Sequence, residues 1–127
     1  MKKRLAVTLA AVALSVVMSV PAYAGTWKYV NDQWKYQRGA NKFAYKEWIQ
    51  DNGNWYYMDN NGVMTTGWQQ IDGQWYYFDA EGYMATGWIE LDGKSYYLDP
   101  STGAMYANTR TPDNFWVDAS GVWIPGM

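Results

Sequence analysis

Cysteine is absent from the 127-residue sequence, so no disulfide can staple the chain, although a secreted domain of this size often relies on one. Histidine is absent as well. That excludes imidazole acid–base catalysis, imidazole metal ligands and a histidine pH switch. Long apolar runs are confined to the start, and none recurs after Val20. From Glu47 onward basic charge is scarce, with only Lys94 and Arg110 set against eleven acids. Such an acidic region argues against a nucleic-acid partner, whose phosphates require a basic surface, and favours a cationic ligand.

The first residues read as a leader. Met1-Lys2-Lys3-Arg4 is basic, Leu5 to Val20 is apolar, and Ala22-Tyr23-Ala24 has the small-x-small pattern of a cleavage site. Residues 1–24 are thus expected to be a secretory signal peptide, the apolar run being short for a membrane span. The remaining 103 residues are enough for one small domain, expected to be secreted and without an integral membrane segment. No carboxy-terminal sorting signal is visible. Without the leader, seven basic residues face twelve acids, a balance of −5. Gly25 to Lys46 holds five of those basic residues and one acid, Asp32. A solvated face explains this cluster better than contact with an anionic wall polymer.

What the chain has in abundance is aromatic residues, nine Trp and twelve Tyr, and they recur at a fixed interval. Trp48, Trp68 and Trp88 are twenty residues apart, as are Met64 and Met84. In each unit the Trp is followed by a turn, an aromatic triplet and a second turn; Gly67 to Met84 shows the unit complete. A fixed period of this length marks a repeat architecture, whose units bury their apolar faces by stacking on neighbours. In place of disulfides, the rings must supply the core. The repeated residues include no catalytic pair of acids, so the pattern points to a binding surface and not to an enzyme. No cofactor is called for.

Asn52-Gly53, Asp72-Gly73 and Asp92-Gly93 are two-residue hairpin turns, in which both residues need positive φ. Counting outward from Asp72-Gly73 pairs Gln70 with Trp75 and Trp68 with Tyr77. Because side chains alternate along a strand, Trp68, Trp75 and Tyr77 share one face, and Ile71, Tyr76 and Phe78 the other. The same count puts Trp48, Trp55 and Tyr57 together, with Tyr56 and Met58 opposite. The ends depart from the pattern. At the start the turn is Asn31-Asp32, Trp27 and Trp34 are again seven apart, and one extra residue precedes Trp48. At the finish Trp116 to Trp123 aligns with Tyr77 to Met84, the preceding turn is lost, and Thr109 to Asn114 fills its space. Atypical terminal units are expected of a stack that must cap itself.

Asp-x-x-Gly follows each aromatic strand, from Asp59, Asp79 and Asp118, with one residue more from Asp99 to Gly103. Acidic loops with Gly can ligate calcium, but one or two carboxylates per loop are too few for a strong site. A turn in which Asp accepts bonds from its own backbone is preferred. For the rings, two readings stay open. They are core packed on the next hairpin, or they are walls of a cage able to surround a quaternary ammonium, each well-placed ring adding about 1–2 kcal/mol when desolvated.

The run Gly67-Trp68 … Gly73-Gln74-Trp75-Tyr76-Tyr77-Phe78 … Gly82-Tyr83-Met84-Ala85-Thr86-Gly87-Trp88 resembles the choline-binding, or cell-wall-binding, repeats of secreted Gram-positive bacterial proteins. The resemblance is clear from Trp48 to Met105. It implies an all-β solenoid of stacked β-hairpins with ligand sites between consecutive hairpins. One choline site would use Trp48 and Trp55 closed by Tyr77, and the next Trp68 and Trp75 closed by Tyr97. Met64 and Met84 would be the nearby thioethers. Trp27 and Trp34 are a candidate amino-terminal pair on irregular spacing. The third unit has Ser95 where the triplet Trp should be, with Lys94 beside it to oppose a cation, so no third cage is expected.

These readings divide the chain into the leader, a degenerate amino-terminal cap at 25–47, three choline-binding-like repeats at 48–107 and a degenerate carboxy-terminal cap at 108–127. The expected function is a non-catalytic module at the cell wall or cell surface, holding choline-bearing teichoic acid or another wall polymer. The repeat pattern begins at Trp27, so no separate catalytic domain is expected. Similar repeats bind glucan, which makes a carbohydrate the alternative ligand, its sugar faces stacked on Trp and Tyr. A structural, self-associating protein with exposed aromatic ends, able to form a homodimer, is the alternative without a small ligand.

Overall fold

The structure is a computed structural model and describes residues 25–127; the expected signal peptide, 1–24, lies outside them. Eleven strands make up the regular structure of the described residues. They are β1 (Thr26–Val30), β2 (Gln33–Gly39), β3 (Lys42–Phe43), β4 (Glu47–Asp51), β5 (Asn54–Met58), β6 (Gly67–Ile71), β7 (Gln74–Phe78), β8 (Gly87–Leu91), β9 (Lys94–Leu98), β10 (Thr109–Arg110) and β11 (Trp116–Val117). β1 pairs with β2, β4 with β5, β6 with β7, β8 with β9 and β10 with β11, while β3 adds a third strand to the first sheet. Among the described residues no helix is long and apolar enough to cross a membrane.

The turns explain the pairing. Asn52 (φ 51°) with Gly53 (φ 81°), Asp72 (51°) with Gly73 (83°) and Asp92 (51°) with Gly93 (77°) all hold two consecutive positive φ values. That geometry matches the twist of a two-residue hairpin and fixes the register beyond it. Trp48 faces Tyr57 and Gln50 faces Trp55 in β4/β5; Trp88 faces Tyr97 and Glu90 faces Ser95 in β8/β9. The irregular turn Asn31-Asp32 (φ 52° and 62°) gives the same register in β1/β2, with Trp27 opposite Tyr36. At the finish the structure departs from the sequence expectation. A hairpin survives there, short and closed by Thr111 to Phe115: the Thr111 amide donates to the Phe115 carbonyl (2.8 Å), and Thr111 Oγ1 accepts from the Phe115 amide (3.1 Å).

Each Asp-x-x-Gly segment is a turn built on its own carboxylate. Asp59 Oδ1 accepts from the amides of Asn61 (2.8 Å) and Val63 (2.9 Å), Asp79 from Glu81 and Tyr83, and Asp118 from Ser120 and Val122. At Asp99 the longer loop takes Ser101 and Thr102 instead. The residue two places after each Gly then closes back on its own hairpin, Met64 bridging Met58, Met84 Phe78, Met105 Leu98 and Trp123 Val117.

The chain falls into two compact units. One comprises the described part of Val16–Gln69 with Phe78–Met84, the other Gln70–Tyr77 with Ala85–Met127. In the first, the core is Tyr36, Ala44, Ile49, Tyr56 and Met58, with Trp27 and Met64 packed against it. Consecutive hairpins are joined through main-chain bonds: the Met64 amide donates to the Trp34 carbonyl (2.9 Å) and the Met84 amide to Trp55 (2.8 Å). In the second unit Met105 donates to Trp75 (2.8 Å) and Trp123 to Ser95 (2.9 Å) in the same way. Within each unit the expected stack of β-hairpins is therefore realised. The residue after each triplet, Met58, Phe78, Leu98 and finally Val117, has 0% exposure. Burying one such side chain contributes about 1.5–3 kcal/mol, and its recurrence gives the four hairpins after the first the same kind of anchor.

Candidate functional site

In β4/β5 the register puts Trp48, Trp55 and Tyr57 on one face and Ile49, Tyr56 and the anchor Met58 on the other. The second face is the buried one, with Ile49 at 3%, Tyr56 at 8% and Met58 at 0% exposure. Trp48 packs edge-on against Trp55 (centroids 6.2 Å, planes at 86°) and against Tyr57 (5.2 Å, 68°), and it lies 5.8 Å from Phe78. Trp55 remains 36% exposed. An indole that size left in water on a face already shaped by a perpendicular partner is a ready wall for an organic cation.

Trp75 on β7 is 40% exposed, the counterpart of Trp55. Trp68 on β6 and Tyr77 on β7 are half-buried. Tyr97 is buried and packs on Trp88 (5.1 Å) and Tyr106 (5.1 Å). It thus has a packing role within its own neighbourhood, as Tyr57 does on Trp48.

The two sequence-assigned methionines are half-buried, and their main chains fix their neighbours. Met84 is bonded to Trp55 and Met64 to Trp34. Met105, bonded to Trp75, completes the series and was not singled out from the sequence. Its signal was the interval itself, since Met64, Met84 and Met105 run at nearly equal spacing. The amino-terminal pair also comes together: Trp27 and Trp34 stand edge-on at 6.5 Å and 85°, and Trp34 is 42% exposed. The Trp27 indole N–H donates to Asp51 Oδ2 (3.1 Å), which fixes the ring and places a carboxylate at its edge.

No group of three or more acidic or other metal-ligating side chains gathers among the described residues. The turn carboxylates are occupied by backbone amides, as described above. What the ring faces offer chemically is non-covalent: apolar walls, ring quadrupoles and nearby carboxylates, a combination suited to a soft cation.

Comparison with known proteins agrees with this geometry. Residues 65–109 match the model of the choline-binding repeat, and residues 46–64 that of the cell wall binding repeat. Choline binding protein F from Streptococcus pneumoniae, solved in the presence of a peptidoglycan analogue, is 39% identical with a TM-score of 0.70 over 80% of this chain and 33% of that one. A structure of CbpF in complex with ipratropium is 38% identical, with a TM-score of 0.71 over 80% of this chain and 32% of its own. The choline binding domain of Spr1274 in Streptococcus pneumoniae is 38% identical, with a TM-score of 0.56 over 61% of this chain and 92% of that one. The chain spans about a third of the length of the choline binding protein F structures. No curated protein matches the sequence. With its repeats matched from residue 46 to 109 and the Spr1274 domain covered almost whole, the chain belongs to the family of choline-binding, cell-wall-binding repeat proteins.

Proposed function

We propose that this protein is a non-catalytic module of the cell surface that holds the choline groups of wall teichoic acids in aromatic cages. The observation that carries the reading is the pairing of exposure with repetition. Trp55 and Trp75, one repeat apart, stay 36% and 40% exposed while the anchors Met58 and Phe78 are fully enclosed. Rings needed only for packing would be expected on the enclosed side. Trp48, Trp55 and Met84 form the first cage. Trp75 with Met105 marks the second. Tyr77 and Tyr97 are retained as the additional rings and Met64 as the thioether of the Trp34 position. The complex of CbpF with ipratropium supports a cationic ligand, because ipratropium carries a quaternary ammonium.

Each cage is expected to bind choline weakly. Replacing Trp75 by Ala removes one wall, which costs about tenfold in choline affinity, or about 1.4 kcal/mol, with the fold kept. Retention on a quaternary-amine support and elution by free choline measure this directly. Equal retention of wild type and Trp75→Ala, or retention of the wild type on dextran alone, would replace choline by a glucan as the ligand.

A further inference from the structure

Beyond the two regular cages, the third hairpin has lost its triplet Trp to Ser95, yet the structure rebuilds a ring pair there from outside the repeat. Phe115, in the closing turn of the last hairpin, stands edge-on to Trp88 at 6.0 Å and 79°. That is nearly the relation of Trp55 to Trp48, 6.2 Å and 86°. Phe115 is 44% exposed, as a cage wall must be. Trp123 takes the position held by Met64, Met84 and Met105 in the other units. Its amide donates to the Ser95 carbonyl (2.9 Å) and its ring meets Phe115 at 5.9 Å and 85°. Three rings therefore converge where the repeat pattern alone leaves one.

The charge of this place also differs. Glu90 faces Ser95 across β8/β9, where Gln50 faces Trp55 in β4/β5, so the third hairpin exchanges an amide for a carboxylate on the ring face. Lys94 pairs with Leu91 and so sits on the opposite face, away from the rings. The Trp88 indole N–H donates to Asp113 Oδ2 (3.0 Å), and Thr111 Oγ1 also bonds this side chain. These two bonds, Thr111 first, hold the Asp113 carboxyl below its ordinary value. A quaternary ammonium has no N–H and gains little from such oxygens beyond bulk charge. A protonated amine can donate to them while its carbon chain lies on the rings.

We infer that Trp88, Phe115 and Trp123, with Glu90 and Asp113, form a third organic-cation site that prefers protonated primary amines to quaternary ammonium ions. The inference rests on the reading that ring faces of these hairpins take cations. Choline and ethanolamine differ only in three N-methyl groups, so the pair isolates the preference. The test follows the indole N–H resonances of Trp55, Trp88 and Trp123 during titration of residues 25–127 with each chloride salt at constant ionic strength. Ethanolamine is expected to shift Trp88 and Trp123 at lower concentration than choline does, with the reverse order at Trp55. Glu90→Gln is expected to weaken ethanolamine at Trp88 and Trp123 about three- to fivefold and to leave choline at Trp55 unchanged. Phe115→Ala, at a position 44% exposed, should abolish both responses at Trp88 and Trp123.

If Trp88 and Trp123 stay fixed with both salts while Trp55 moves with choline, the third site is overturned and the proposed function stands. If they favour choline and Glu90→Gln changes nothing, the amine preference is overturned. If Trp55 fails to move with choline, the proposed function fails, and the third site is judged on Trp88 and Trp123 alone.

Discussion

Thr65 is 6% exposed and its hydroxyl has no hydrogen-bond partner, although its amide donates to the Tyr57 carbonyl. An unmet buried hydroxyl costs about 1–3 kcal/mol in desolvation. The next repeat places Ala85 at the same position, with the same amide bond to Tyr77. Thr65→Val should therefore leave urea stability unchanged or raise it by up to about 1 kcal/mol; a loss of 1 kcal/mol or more would show that the hydroxyl is satisfied in solution. Two tyrosines set the alkaline behaviour. Burial, reinforced by Tyr83 and Asp51, raises the Tyr56 hydroxyl above its ordinary value, and burial with Asp99 does the same for Tyr106. A raised folded-state value means that the folded chain keeps its proton longer than the unfolded one. The stability this adds is whole below the ordinary value and is lost as the pH rises through the folded one. With no histidine to titrate, stability should be flat between about pH 6 and 8 and should fall above about pH 10. Urea denaturation at a series of pH values checks both halves, and a slope in the neutral range would contradict the account.

At the scale of the hairpin, the two faces have different energetic roles, so substitutions on them should separate. Phe78 has 0% exposure, and Phe78→Ala should cost about 3–5 kcal/mol. Trp55→Ala, on the exposed face, should cost about 1 kcal/mol or less while weakening choline. Thermal melts of the two variants beside their choline titrations would show whether stability and binding do divide in this way. The turns were legible in the sequence because a two-residue turn is local: Asn52-Gly53 alone sets the register that brings Trp48 opposite Tyr57. The choice of the enclosed face was not legible, because it depends on what packs against it. Neither was the Met84 bond to Trp55, which reaches back over a whole strand pair. Phe115 escaped notice for a related reason. It answers the loss at Ser95 from a different hairpin, and a comparison of repeat with repeat sees only the Ser.

For the molecule as a whole, repetition turns weak sites into a selective device. The two proposed cages and the third site share one short chain, and a polymer that bears many choline groups can engage several together. The second contact is then intramolecular, and apparent affinity should exceed that for free choline by about 10²-fold or more. Surface-bound choline polymer and free choline, compared by competition, would reveal the difference; equal affinities would mean that only one site is engaged. Acidic surplus after Glu47 favours the approach of such a ligand, though salt screens it beyond roughly 10 Å.

The central claim is that exposed indoles on a repeated face hold a quaternary ammonium. It is tested most directly by titrating residues 25–127 with choline chloride and following Trp fluorescence, with sodium chloride at matched concentration as the control. The account predicts a saturable change in the millimolar range with choline and none with sodium. Identical curves for the two salts would contradict it, leaving the hairpin fold intact and its aromatic face without this ligand.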